Sequence, residues 1–270
     1  LNVFWSFLVA SRELSFALDV CRQAGEVALR HLQQGVTAQM KADETPVTVA
    51  DQECERLIRE SLARTFPSDD VLGEEEGASN TSAALRKWII DPIDGTYNYM
   101  RGIPIFATLL ALEQSGEVVL GVVHAPALNE TYWAERGGGA YKNGDRIHAS
   151  GVQELASAQL NFGTPKRILQ AGYWESFSEL VTLTYRQRGF GDYLGFAHVF
   201  DGRAEAMIEI GVKPWDLAPM KIIAQESGGL FSDLDGGSSI YKGDCLVSNA
   251  AVHEPILKVL AKNRGGNGHK

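Results

Sequence analysis

Cysteine is scarce in this chain: Cys21, Cys54 and Cys245 are the only three in 270 residues, and they lie far apart with no CxxC pair. That spacing excludes a cysteine-rich zinc module and a disulfide scaffold, and it suits a reducing compartment. Basic residues are also in deficit, 25 against 34 acidic, so the formal net charge is −9 and the pI about 5.2. A chain this acidic is a poor general binder of nucleic acid or of an anionic membrane, both of which need a basic face. The five tryptophans show no basic interleaving that would make a nucleic-acid stacking platform. Leu1 to Ala10 is apolar but meets Ser11-Arg12-Glu13 after ten residues and lacks a basic start. It is too short for a membrane span and wrongly flanked for a signal peptide, and reads as a leading helix turn or an extension. Arg264 to Lys270 reads as a frayed tail, and the protein is expected to be cytoplasmic.

What is present is ordinary globular material, 44% hydrophobic and 22% charged. From Ser11 to Leu32 the residues Leu14, Ala17, Leu18, Cys21, Ala24, Val27, Ala28 and Leu32 make a helical stripe. A second helix is predicted after Asp51, with Cys54, Leu57, Ile58 and Leu62 inward and Pro67 as its stop. Strand-like runs follow at Trp88–Ile90, Ala107–Leu112, Val118–Val123 and Glu130–Ala134, with a turn at Lys142-Asn143-Gly144-Asp145. In the second half, Ala158–Phe162 and Ala206–Ile210 read as strands, Trp174–Arg188 and Asp192–Asp201 as helices. Another helix is expected to open at Asp216, carry Pro219 in its first turn and end at Ser227-Gly228-Gly229 with a glycine cap. No repeat or low-complexity block interrupts this. The class is α/β, with a soft boundary at Ser150 to Leu155 separating an N-terminal half, 11–150, from a C-terminal half, 151–262.

The densest chemical signal is Trp88-Ile89-Ile90-Asp91-Pro92-Ile93-Asp94-Gly95-Thr96. A buried strand ends in two carboxylates three positions apart, and Gly-Thr then opens a helix. Two carboxylates aimed at one spot repel, and a hard divalent cation such as Mg²⁺ resolves the conflict. The N–H groups of Gly95 and Thr96 would face an anion, so a metal seat and a phosphate seat are contiguous. A plain strand and turn with an aspartate cap is the alternative. Gly73-Glu74-Glu75-Glu76-Gly77 adds carboxylates in a glycine-flanked loop, which alone reads as solvated; Trp215-Asp216 adds an aspartate that alone reads as a helix N-cap. Together they make a four-carboxylate cluster able to hold two or three Mg²⁺ ions around a phosphate.

These segments, GEE at 73–75, WIIDPIDGTYNYMRGIPIF at 88–106 and WDLAPMKIIAQESGG at 215–229, resemble the inositol monophosphatase superfamily in order and spacing, and Val47 to Asp51 fits as well. The resemblance covers about residues 11–260. It implies a layered αβαβα sandwich and a Mg²⁺-dependent phosphomonoesterase that is commonly a homodimer. Carried over residue by residue, it implies metal ligation by Glu74, Asp91, the Ile93 carbonyl, Asp94 and Asp216. It implies water activation by Thr96 with Asp51, Glu74 belonging to the same catalytic set, and phosphate contacts from Gly95 and Thr96. Glu75 reads as supporting and Glu76 as solvent-facing.

Substrate choice is expected in the second half. The resemblance is strongest to the histidinol-phosphate phosphatase branch, through Gly191–Phe196, Glu209–Asp216 and Gly102–Leu112. An ammonium and an imidazole on that substrate would reward extra carboxylates, so Asp192 and Glu209, with Asp94, are assigned to substrate binding. The alternative for Asp192 is that it caps its helix. Other readings are an inositol-1-phosphate or broad sugar phosphatase, and, in another class, a protein-binding partner of transcription machinery. Arg186 and Arg188 read as surface residues, His124 and His198 as structural, and Cys245 as core.

Overall fold

The computed structural model describes residues 10–36, 38–40, 46–79 and 85–262; the readings of the first nine residues and of the tail from Arg264 lie outside the described residues. In chain order the helices are α1 (Arg12–Gln34), α2 (Val49–Thr65), α3 (Thr96–Met100), α4 (Pro165–Gln170), α5 (Trp174–Leu183), α6 (Asp192–Phe200), α7 (Pro214–Glu226) and α8 (His253–Lys262). The strands are β1 (Ala38–Met40), β2 (Pro46–Thr48), β3 (Asp70–Gly73), β4 (Gly77–Ala78), β5 (Arg86–Asp94), β6 (Ala107–Gln114), β7 (Glu117–Ala125) and β8 (Glu130–Glu135). They continue with β9 (Gly139–Lys142), β10 (Asp145–Ile147), β11 (Gln159–Phe162), β12 (Arg186–Arg188), β13 (Ala206–Ile210), β14 (Gly229–Ser232) and β15 (Asp244–Asn249).

Two large mixed sheets result. One runs β10-β9-β8-β7-β6-β5-β3-β4 and the other β12-β11-β13-β15-β14. Only β3–β5 is parallel in the first; β11 is parallel to both neighbours in the second. Alternation along the strands divides the core. Ile90, Leu110 and Val122 point to one face of the larger sheet and pack on Ala17, Cys21 and Ala24 of α1 and Ile58 of α2. Ile89, Leu109 and Val123 point to the other face, where they meet α6, α7 and the inner side of the smaller sheet through Met207, Cys245 and Val247. Leu160, Ile208 and Leu246 face outward from the smaller sheet onto Ile168, Phe177 and Ile256 of α4, α5 and α8. The order of layers is therefore α, β, α, β, α, as expected.

Local sequence accounts for most of these elements. The Ser11 side chain accepts from the Leu14 N–H at 3.0 Å and starts α1, a contact of a kind that contributes about 1 kcal/mol. Asn143 and Gly144, both at positive φ, make the tight turn between β9 and β10. Gly121 in β7 admits α7 closely: a Cβ there would lie 2.7 Å from the Pro219 Cα.

Three expectations need correction. The second helix starts at Val49, so Asp51 sits inside its first turn, because Thr48 provides the N-cap. The helix expected over Trp174–Arg188 stops at Leu183; Thr184 turns extended, and Arg186–Arg188 pairs in parallel with β11 as an edge strand. The helix expected from Asp216 begins at Pro214, which occupies its first turn and moves Pro219 into the second, inside the helix. There the proline removes the N–H that would reach Trp215, a loss tolerated in a helix buried between two sheets. Gly228, at φ +86, ends this helix as expected.

Candidate active site

The carboxyl end of β5 opens onto a cleft of about 700 Å³ that is lined from both halves of the chain. In a regular strand, residues three apart point to opposite faces. Between Asp91 and Asp94 the pairing with β6 shifts register: Asp91 stands opposite Leu109 and Asp94 opposite Ala107, so one extra residue bulges out. The bulge brings both aspartates to one side. Asp216 arrives from the first turn of α7, and one carboxylate oxygen from each of the three lies within 4.8 Å of the others. Asp216 is not the N-cap expected from sequence. It is the third residue of the helix and accepts from the Lys213 N–H at 2.7 Å, a capping-box contact that orients its carboxylate inward.

The electrostatics of this cluster are unfavourable as it stands. Asp91 is 2% exposed and Asp94 9% exposed. Burial, followed by repulsion from Glu74, Asp94 and Asp216, raises the Asp91 carboxyl well above its ordinary value. Burial and then Asp192 do the same to Asp94, and burial pushes Asp216 up to about 7. Asp91 Oδ1 is buried and accepts no hydrogen bond among the described residues. Converging carboxylates with an unsatisfied buried oxygen form a donor set that fits a hard cation such as Mg²⁺. Glu74 lines the same cleft and its charge is felt by Asp51, Asp91 and Asp216.

Asp51 and Thr96 meet at the edge of this cluster. Asp51 Oδ2 accepts from the Thr48 N–H at 2.7 Å and from the Thr48 hydroxyl at 2.5 Å. That leaves Oδ1 facing Thr96 Oγ1 at 3.5 Å, while the same hydroxyl lies 3.0 Å from the Ile93 carbonyl. Burial pushes Asp51 up to about 6, against the two Thr48 bonds that lower it. Gly95 takes φ +83, and a Cβ on it would lie 3.0 Å from the Ile105 carbonyl, so glycine is required on both counts.

The residues expected to bind substrate also converge on the cleft. Asp192 does not cap its helix: its backbone is left-handed at φ +52, and its Oδ2 accepts from Asn98 Nδ2 at 2.8 Å. The N–H of Tyr193 is satisfied by Asp94 Oδ2 at 2.6 Å, which ties β5 to the start of α6. Glu209 is 6% exposed and lies against Gly163, where a Cβ would sit 1.8 Å from its Oε2. Burial pushes its carboxyl up to about 8. Sequence reasoning missed Asn98 and Arg167, which line the cleft, and Thr48 as the anchor of Asp51. A polar residue two positions after Thr96 was a usable signal for Asn98; none marked Arg167. His124 bonds Thr131, His198 stacks edge-on against Phe190, and Arg186 and Arg188 are exposed, all away from this chemistry as expected.

The profile of the inositol monophosphatase family matches residues 10–264. A histidinol-phosphatase of Mycobacterium tuberculosis is 39% identical over 251 residues, covering 91% of this chain and 96% of that protein. The extragenic suppressor protein suhB of Bartonella henselae has a similar structure, with TM-score 0.87, 28% identity and coverage of 93% and 99% of the two chains. An IMPase/NADP phosphatase solved with Mg²⁺ and phosphate superposes with TM-score 0.83 at 26% identity, covering 93% and 95%.

Proposed function

The chain belongs to the inositol monophosphatase family and is a phosphoric monoester hydrolase, and from that premise we propose that it hydrolyses L-histidinol phosphate to L-histidinol and phosphate with Mg²⁺. The observation that carries the substrate reading is Asp192. It places a half-buried carboxylate, anchored by Asn98, in the cleft beside the acidic cluster and in the reach of Glu209. A neutral polyol does nothing to draw these two carboxyls into their charged forms, whereas an ammonium and an imidazolium do.

In this reading Glu74, Asp91, Asp94, Asp216 and the Ile93 carbonyl would hold two or three Mg²⁺ ions. When bound, Mg²⁺ supplies positive charge against the phosphoryl oxygens and lowers the pKa of water. The chain's own residues do the rest. The N–H groups of Gly95 and Thr96, which line the cleft at the left-handed turn made by Gly95, hold phosphate oxygens. Thr96 Oγ1 orients the attacking water, and its proton passes through the hydroxyl to Asp51 Oδ1, whose pKa near 6 suits a base at neutral pH. Asp192 and Glu209 face the leaving group and bind its cations. The family resemblance supports a homodimer, and three free, buried cysteines suit a cytoplasmic setting.

The test is phosphate release with Mg²⁺ from L-histidinol phosphate, inositol-1-phosphate and fructose-1,6-bisphosphate, compared by kcat/KM. A preference for the first of about tenfold or more, roughly 1.4 kcal/mol of differential transition-state binding, is expected. A flat profile, or a preference for inositol-1-phosphate, overturns the substrate reading and favours a broader sugar-phosphate phosphatase.

A further inference from the structure

On the inner face of α2, four residues after Asp51, stands Glu55, a fully buried carboxylate that none of the steps above uses. Its Oε2 accepts from the Glu75 N–H at 2.8 Å and its Oε1 from the Glu76 N–H at 3.1 Å. Oε1 also accepts from Arg59 Nε at 2.8 Å. Arg59 in turn donates to the Gly77 carbonyl and lies 3.5 Å from the Glu76 carboxylate. At the start of the same turn, the Glu74 N–H donates to the Ile90 carbonyl at 3.2 Å, one residue before Asp91. The three successive N–H groups of the turn are thus bound, one by β5 and two by Glu55. Gly73 makes room for this: a Cβ there would lie 2.1 Å from Glu55 Oε1 and 2.8 Å from Arg59 Nη2. A side chain at 73 would push the carboxylate out from under the turn.

A charged side chain at this depth is costly unless its oxygens are satisfied. Here satisfaction comes from the backbone that carries Glu74, so the charge of Glu55 and the path of the turn are interdependent. We infer that Glu55 is a positioning residue of the metal centre: by bonding the two backbone N–H groups after Glu74, it fixes where Glu74 stands relative to Asp91. This rests on the reading of Glu74 as a metal ligand. Groups behind metal ligands commonly set metal affinity by about 10–100-fold. Glutamine at 55 keeps the shape, but its NH₂ would face one of the two N–H donors and its charge would be lost to Arg59.

The experiment is calorimetric titration of Mg²⁺ alone into the full chain, without substrate and well below the melting temperature, for the parent, Glu55→Gln and Asp94→Asn. The expected result is a Mg²⁺ dissociation constant raised about tenfold or more in Glu55→Gln, with the Mg²⁺ concentration for half-maximal rate rising more than kcat at saturating metal falls. A purely structural role would lower the melting temperature in EDTA and leave the affinity of the folded protein unchanged; that outcome overturns the inference. Should the parent bind no Mg²⁺, or Asp94→Asn bind it as the parent does, the metal reading itself fails. Parent-like binding in Glu55→Gln beside loss in Asp94→Asn overturns only the role of Glu55. If Glu55→Gln does not fold, Glu55→Asp keeps the charge but withdraws the carboxylate from the Glu75 and Glu76 N–H groups. It is then expected to weaken Mg²⁺ binding about tenfold, and an unchanged constant overturns the inference.

Discussion

Replacing Glu209 by glutamine isolates what a buried carboxylate costs this fold. Burial pushes Glu209 up to about 8 from 4.5; Asp192 and Asp216 add to the effect, while the Ile210 N–H and Arg167 oppose it. The unfolded chain releases this proton near the ordinary value, so below about pH 4.5 both states hold it and there is no penalty. Between that value and pH 8 the folded state must keep a proton the unfolded state has lost. Stability then falls by about 1.4 kcal/mol per pH unit, to a ceiling of roughly 5 kcal/mol above pH 8. Glutamine keeps the shape without the charge, and an incompletely bonded amide costs about 1–3 kcal/mol at every pH. In urea titrations with EDTA, Glu209→Gln is expected to be no more stable than the parent at pH 4.5. By pH 8 it is expected to have gained about 2–5 kcal/mol on the parent relative to that starting point. An offset that stays flat with pH would refute the assignment. The same variant is expected to lose kcat/KM on histidinol phosphate, a stability gain at the expense of function.

Three other outcomes are expected. Asp192→Asn should lower kcat/KM on histidinol phosphate by about tenfold or more while changing inositol-1-phosphate turnover little; equal losses on both substrates would dismiss a role in cation recognition. Thr96→Val should lower kcat about 100-fold or more with a small change in KM, measured by phosphate release at saturating Mg²⁺; parent-like kcat would remove Thr96 from the proton path. The rise in melting temperature caused by Mg²⁺ should shrink as pH falls below 7, because Asp216 without metal holds a proton up to about 7 and protons then compete with the cation. A rise independent of pH between 5 and 8 would contradict that competition.

Much of the layout was legible because it is local. The stripe of α1, the buried run of β5, the Asn143-Gly144 turn and the Gly228 cap each depend on residues within a few positions of one another. Apart from the starts of α2 and α7, which neighbouring residues set, the errors fell where a partner distant in sequence decides. Arg186–Arg188 leaves the expected helix because β11 offers an edge to pair with. Asp192 carries no capping bond; its Oδ2 is held instead by Asn98, more than ninety residues earlier. Glu55 could have been suspected from a carboxylate on the apolar face of α2, but its partners lie in a turn twenty residues away.

By itself the sequence determined which groups are available: the acidic residues at 51, 74, 91, 94 and 216, Gly95 with Thr96, and the two extra carboxylates at 192 and 209. It also determined the periodicities that sort apolar residues into layers. Only the tertiary structure decided that Asp91 and Asp94 share a side, since period-two alternation would part them and the bulge against β6 reverses that. It also decided that Asp216, on a helix packed between the two sheets, closes the cluster. A cluster of like charges cannot assemble from local preference, because those charges repel; the packing of β5 against α7 holds them together.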